Sequence, residues 1–239
     1  MNLQDSHRRA QNAFSSLEEV LETLHPGQGE RLARLLRDRF LTPAAVFEAD
    51  SDVLEQLGLS ARDALFLRLV PALARYTGRE SFGKSPRLDT AERAGAFLET
   101  RFIGKRLEQF YLLCLDSNLR LIQSILLERG TTDRAPFYPR HVLREAVRTH
   151  AAYLIVSHNH PNNSIVPSNV DVSCTVELLD ALAPLSVALI DHLIVADKTI
   201  VSLRALGKPA PMYWNHPPHR CAASDRWLAG IADWHWEIR

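Results

Sequence analysis

Two short stretches hold the residues best suited to chemistry. Ser157-His158-Asn159-His160-Pro161 follows a nearly all-apolar run, Ala151 to Val156, and Pro167-Ser168-Asn169-Val170-Asp171 opens a segment of helical periodicity. Side chains on a strand alternate faces, so His158 and His160 present both imidazoles to one side at a strand end. Pro161 stops the strand, a short excursion through Asn162, Asn163 and Ser164 follows, and the next helix carries Asp171 in its first turn. From there its carboxylate can swing back as a third, oxygen donor. Two histidines and one carboxylate, with a fourth position left for water, form the donor set expected of a catalytic zinc (Zn2+), one ion per chain, rather than of a closed structural site.

The same residues have ordinary readings. Ser168-x-x-Asp171 is also a capping-box-like helix start, with Ser168 satisfying backbone N–H groups and Asp171 near the positive helix end. An HxH at a strand end also occurs as two hydrogen-bonded surface histidines. What favours the metal is the conjunction: a buried strand delivering HxH, a proline stop, and Ser-x-x-Asp on the following helix.

The elements that must position these residues follow from apolar spacing. Residues 14 to 79 repeat apolar positions at helical intervals, as in Leu32, Leu35, Leu36 and Phe40, and read as a small bundle of short helices. The stretch from Thr77 to Pro86 gathers glycine, serine and proline and reads as a linker. A helix is expected over 89–104, strands over 110–115 and 119–127 joined by Asp116-Ser117-Asn118, and an amphipathic helix over 139–149. The Ala151–Val156 strand, a helix over 168–184, and strands over 187–195 and 199–203 complete an α/β sandwich around a mixed sheet. The expected organisation is a helical domain at 1–80, a linker at 81–92, a mixed α/β domain at 93–208, and a tail at 209–239 holding Trp214, Trp227, Trp234 and Trp236.

Composition narrows the function class. In 239 residues, 46% are hydrophobic and 28 basic side chains balance 28 acidic ones, which argues against disorder, collagen and coiled coil. The first 88 residues balance as well, 12 against 12, so contact with DNA would need a local patch. Cys114, Cys174 and Cys221 are too few and too widely spaced for a disulfide framework or a four-thiolate zinc site, which suits a reducing, cytoplasmic setting. No run reaches the roughly 18 apolar residues of a spanning helix, so no membrane role is expected.

The pattern His158-x-His160, seven spacers, Ser168-x-x-Asp171 resembles the JAMM motif of MPN-domain metalloproteases. The wording His158-Asn159-His160-Pro161, with Pro139-Arg140, Arg144-Glu145-Ala146 and Asp191-His192-Leu193-Ile194-Val195, is similar to the RadC-type branch, sometimes named for DNA repair. Two departures are Asn162-Asn163 where Ser-Gly is usual, and His141 where Glu is usual. The resemblance implies a JAMM/MPN-like mixed sheet with flanking helices, preceded by a helix-hairpin-helix-like domain. There Leu57-Gly58-Leu59-Ser60 stands at the hairpin turn, with Ser60 in place of the usual second glycine.

The resemblance also implies a carboxylate at the entry to the first strand, which here is Glu108, with Glu128 and Glu145 as weaker candidates. Glu108 would serve as general base, Ser168 would help hold the oxyanion, and the reaction would be hydrolysis of a peptide or isopeptide in an unidentified protein or peptide substrate. Asn159, Asn163 or backbone carbonyls would orient the imidazoles, and His192 reads as a hydrogen-bonded core residue. A second function class, also implied by the resemblance, is a DNA-associated accessory module with weak or no catalysis.

Overall fold

The computed structural model describes residues 3–129, 138–196 and 198–208, with side chains over 14–128, 138–196 and 198–208. Cys221 and the tail with the four tryptophans lie outside the described residues. Contacts divide the chain into two compact units, Met1–Thr77 and Gly78–Arg239.

The first unit is helical: α1 (Leu3–Leu24), α2 (Gly29–Arg39), α3 (Pro43–Phe47), α4 (Ser51–Gln56) and α5 (Ala61–Glu80). Its core gathers Leu17, Leu21, Leu36, Leu54 and Leu67, all fully or almost fully buried. Between α4 and α5, Gly58 takes φ +93°, and the Gly58 and Leu59 amides donate to Glu55 O (2.9 Å) and Leu54 O (3.2 Å), which closes α4. Ser60 starts α5 with a reciprocal cap: its N–H donates to Asp63 Oδ2 (3.1 Å) and its Oγ accepts from the Asp63 N–H (3.2 Å). Asp63 also meets His25 Nε2 at 2.9 Å. An acidic side chain thus occupies the positive end of α5, where a helix would otherwise receive a phosphate.

The second unit has the mixed sheet and flanking helices expected. Its elements are α6 (Ala91–Phe102), β1 (Gln109–Leu115), β2 (Leu121–Arg129), α7 (Pro139–Thr149), β3 (Tyr153–Asn159), α8 (Asn169–Leu182), β4 (Ala188–Ala196) and β5 (Thr199–Ser202). The sheet order is β2-β1-β3-β4-β5, with β3 and β4 parallel and the other neighbours antiparallel. Helix α8 makes the crossover that the parallel pair requires. Alternation along the strands assigns the faces. Leu112, Cys114, Leu154 and Val156 point to α7 and α8, while Leu113, Leu115 and Ile155 point to α6, where Ala94, Phe97 and Leu98 receive them.

Three boundaries differ from the sequence expectation, each for a local reason. Strand β2 begins at Leu121 because Leu119 sits at φ +59° in a turn where Asp116 Oδ1 accepts from the Asn118 and Arg120 amides (2.8 and 2.9 Å). Strand β3 begins at Tyr153, after His150 ends α7 in the left-handed region, and runs on to Asn159, so His158 lies within the sheet rather than at its end. The third concerns the expected linker. Helix α5 continues through Thr77 to Glu80, and Phe82, Leu88 and Ala91 of the following stretch pack into the core of the second unit. Leu88 is fully buried with its N–H donating to Leu119 O (2.8 Å), Leu121 N donates to Pro86 O (2.9 Å), and Phe82 meets Phe97 edge-on at 5.5 Å. Gly78, the first residue of the second unit, sits close to α6 in that unit, since a Cβ there would stand 3.0 Å from Thr100 Cγ2. Glycine, serine and proline mark turns in a strap here, not slack. Among the described residues, no helix is long and apolar enough to cross a membrane.

If the strap is part of the second unit, Leu88→Ala should destabilise that unit by about 2–5 kcal/mol, as large-to-small changes in cores do. Hydrogen exchange of the β1 and β3 amides reads this directly. A loss under about 0.5 kcal/mol, the range of exposed positions, would contradict it.

Candidate metal centre

The β1–β3 register places Phe110 opposite His158, and their rings stack at 4.5 Å between centroids. Two residues on in each strand, the same antiparallel register carries Glu108 toward His160 on the same face. Asn159 points the other way, where its Oδ1 accepts from Gln109 N (2.8 Å) and its Nδ2 donates to Leu107 O (3.2 Å). That bracket fixes the segment bearing Glu108 to β3. His160 N donates to Val195 O at 2.9 Å, so the residue just past β3 stays tied to β4. After Pro161, Asn163 adopts φ +58° and its N–H donates to His160 O (3.0 Å), which turns the chain back. Ser164 O then lies 2.7 Å from His160 Nδ1. A carbonyl only accepts, so Nδ1 carries the hydrogen and a neutral His160 offers its Nε2 lone pair to the site.

Helix α8 brings the carboxylate. Ser168 is its N-cap: Ser168 Oγ accepts from Asp171 N (3.2 Å) and Ser168 N donates to Asp171 Oδ2 (2.7 Å). The capping reading and the site reading of Ser-x-x-Asp therefore hold together, because the cap is what aims Asp171 inward.

The side chains converge closely. His158 Nε2 lies 2.9 Å from His160 Nε2, 3.3 Å from Asp171 Oδ1 and 3.7 Å from Glu108 Oε1, while His160 Nε2 is 3.7 Å from Asp171 Oδ2. One ligand atom from each of Glu108, His158, His160 and Asp171 falls within 4.8 Å of the others, a group able to hold a metal ion. Separations of this order fit the corners of a tetrahedron with bonds of about 2.0–2.1 Å, which stand roughly 3.3 Å apart. His158 and Asp171 are buried, whereas the Glu108 side chain is 39% exposed.

Electrostatics agree with a site built for positive charge. Burial, then the neighbouring His192, drives His158 well below the usual histidine range. Burial opposes ionisation of Asp171, yet His160, His158 and Ser168 together hold its carboxyl well below the ordinary range. A bond to Asp171 raises His160, and burial followed by the charge of Asp171 raises Glu108. A buried imidazole that stays neutral, a carboxylate that stays ionised and a second imidazole whose extra proton a metal would displace are suitable donors for a divalent cation.

The other candidates fall elsewhere. Glu128, opposite Phe110 on the edge strand β2, pairs with His141 at 3.4 Å. Glu145 is held by Arg148 Nε (2.7 Å) and Arg144 Nε (3.0 Å), which lower its carboxyl. Of the orienting partners expected, Asn159, Asn163 or backbone carbonyls, a backbone carbonyl is the one found, while the Asn159 side chain pairs with Gln109 and Leu107. The Ser164 carbonyl serves His160, and His192 Nε2 lies 2.9 Å from His158 Nδ1. His192 is a hydrogen-bonded core residue as expected, but its position beside a site histidine was not foreseen. The parallel register sets it beside Val156, two residues before His158 on the same face, a relation that no local sequence pattern carries. Cys114 and Cys174 are buried and free.

Comparison with known proteins agrees with this geometry. Residues 88–208 match a family model described as RadC-like JAB domain. A UPF0758 protein of Bordetella petrii is 41% identical over 150 residues, covering 63% of this chain and 67% of that protein. A UPF0758 protein of Cupriavidus taiwanensis is 36% identical over 173 residues (72% and 76%), and one of Paraburkholderia phytofirmans is 36% identical over 181 residues (74% and 69%). With its domain matched from Leu88 to Lys208 and both site histidines and Asp171 inside that span, the chain belongs to the RadC-like JAB-domain family.

Proposed function

We propose that the chain is a zinc-dependent hydrolase of the peptidase or isopeptidase type, with His158, His160 and Asp171 as metal ligands, Glu108 as general base and Ser168 as an oxyanion donor. The observation that carries this reading is the position of Glu108. It stands 3.7 Å from His158 Nε2, half-exposed at the edge of a buried donor cluster, on a segment bracketed by Asn159. A zinc ion bound there supplies Lewis acidity and makes a water acidic enough to attack near neutral pH.

The rest belongs to the protein's own groups. The Glu108 carboxylate takes the proton from the attacking water and returns it to the leaving amine, and a carboxyl raised above its ordinary range is better matched to that exchange near neutrality. Ser168 Oγ, while accepting from Asp171 N, keeps its hydrogen to donate to the developing oxyanion at the positive end of α8. The second function class, a DNA-associated module, draws no support from the first unit, where Asp63 occupies the α5 terminus.

Three variants test the assignment on the zinc-loaded chain with a fluorogenic peptide and isopeptide library. Glu108→Gln should retain zinc while hydrolysis falls roughly 10²- to 10⁴-fold, the usual worth of a positioned base. Asp171→Asn should lose zinc affinity and activity together, because a ligand charge is gone. Loss of zinc from Glu108→Gln would make Glu108 a ligand; full activity in it would place the base elsewhere. Ser168→Gly should cost only a few tenths of a kcal/mol in capping, about as glycine caps do, yet lower the rate by roughly 10²- to 10³-fold. An unchanged rate would leave Ser168 as a cap alone. A zinc-loaded wild-type chain that cleaves no amide probe faster than the metal-free chain would contradict the proposal.

A further inference from the structure

We infer that Thr175 and His192 form a hydrogen-bond relay that sets the tautomer of His158, so that its Nε2 lone pair always faces the metal centre. The inference rests on reading that centre as a metal site, and makes Thr175 and His192 positioning residues that act through His158.

The direction of the relay follows from counting hydrogens. Thr175 Oγ1 lies 2.6 Å from Asp171 O and 2.7 Å from His192 Nδ1. A hydroxyl has one hydrogen and a carbonyl oxygen has none. Two oxygens at 2.6 Å are at or inside hydrogen-bond length, and without a hydrogen between them they repel. The Thr175 hydrogen therefore goes to Asp171 O, and the contact with His192 must be Nδ1–H donating to Oγ1. A neutral His192 protonated at Nδ1 has a bare Nε2. That atom is 2.9 Å from His158 Nδ1, so His158 must donate from Nδ1, which leaves Nε2 unprotonated toward Asp171 and His160.

Burial keeps the count unambiguous. His158 and His192 are both fully buried, so the partners of their ring nitrogens are protein groups rather than bulk water. The inverted tautomer of His158 would set its bare Nδ1 against the bare Nε2 of His192 and point a hydrogen into the donor cluster. That arrangement loses a buried hydrogen bond and blocks a ligand. The relay also joins the three elements of the site: His158 on β3, His192 on β4, and the backbone of Asp171 on α8. His160 reaches the same result through the Ser164 carbonyl, so both histidines are directed to bind through Nε2.

The test begins on the metal-free full chain, where it does not depend on the metal reading. Long-range 1H–15N spectra should show His158 and His192 both protonated at Nδ1; His158 protonated at Nε2 would overturn the inference. Zinc affinity, read by chelator competition, should then fall about 10- to 100-fold in Thr175→Val, as for other partners that orient metal ligands, with protonation of His192 shifting toward Nε2. Thr175→Ser, which keeps the hydroxyl, should restore both the affinity and the tautomer. A Thr175→Val chain with unchanged tautomers and affinity, or a Thr175→Ser chain as impaired as the valine, would also overturn it. A wild-type chain with the stated tautomers that takes up no zinc would instead contradict the proposed function and leave the relay standing.

Discussion

Two imidazole nitrogens 2.9 Å apart, with a carboxylate oxygen 3.3 Å from one of them, are electron-rich atoms whose repulsion is relieved only by a proton or a metal cation among them. In a site largely screened from water the repulsion is felt more strongly than at a surface. The second unit is organised to hold these atoms in place regardless. The β1–β3 register aligns Glu108 and His160, the Asn159 bracket ties down the Glu108 segment, and the Ser168 cap turns Asp171 inward. Each device satisfies a backbone group that the fold would otherwise have to pair in some other way. The positioning of the site and the completion of the secondary structure are therefore the same hydrogen bonds.

Ser60-x-x-Asp63 and Ser168-x-x-Asp171 show how far a short motif can be read. Both make reciprocal caps with a buried Asp in contact with histidine. At α5 the histidine is His25, whereas at α8 two histidines arrive from β3 and the residue just past it. The cap is legible in either sequence, and only the HxH on a preceding apolar strand separates a site from a helix start. For that reason His158, His160 and Asp171 could be grouped from spacing, while Glu108, 50 residues upstream, could be placed only through resemblance. Its partner on the sheet depends on register, which no local pattern encodes.

What sequence concealed was tertiary in origin. Polar and turn-forming composition at 81–92 suggested slack, but Leu88 and Ala91, with Phe82 packed against the same cluster, commit that strap to the core, and so few apolar side chains carry little weight in a composition window. His192 looked like any buried histidine because its importance lies in direction: which ring nitrogen donates depends on Thr175, 17 residues away on another element. The Asn159 bracket was equally hidden, since a residue between two site histidines invites a role toward them, whereas strand alternation turns it to the opposite side.

X-ray absorption at the zinc edge of the chain loaded with one equivalent tests the central claim most directly. The account predicts a four-coordinate ion with two imidazole nitrogens and two oxygens at about 2.0–2.2 Å and no sulfur, unchanged in Glu108→Gln. A sulfur shell, three nitrogens, or an oxygen lost in Glu108→Gln would contradict it.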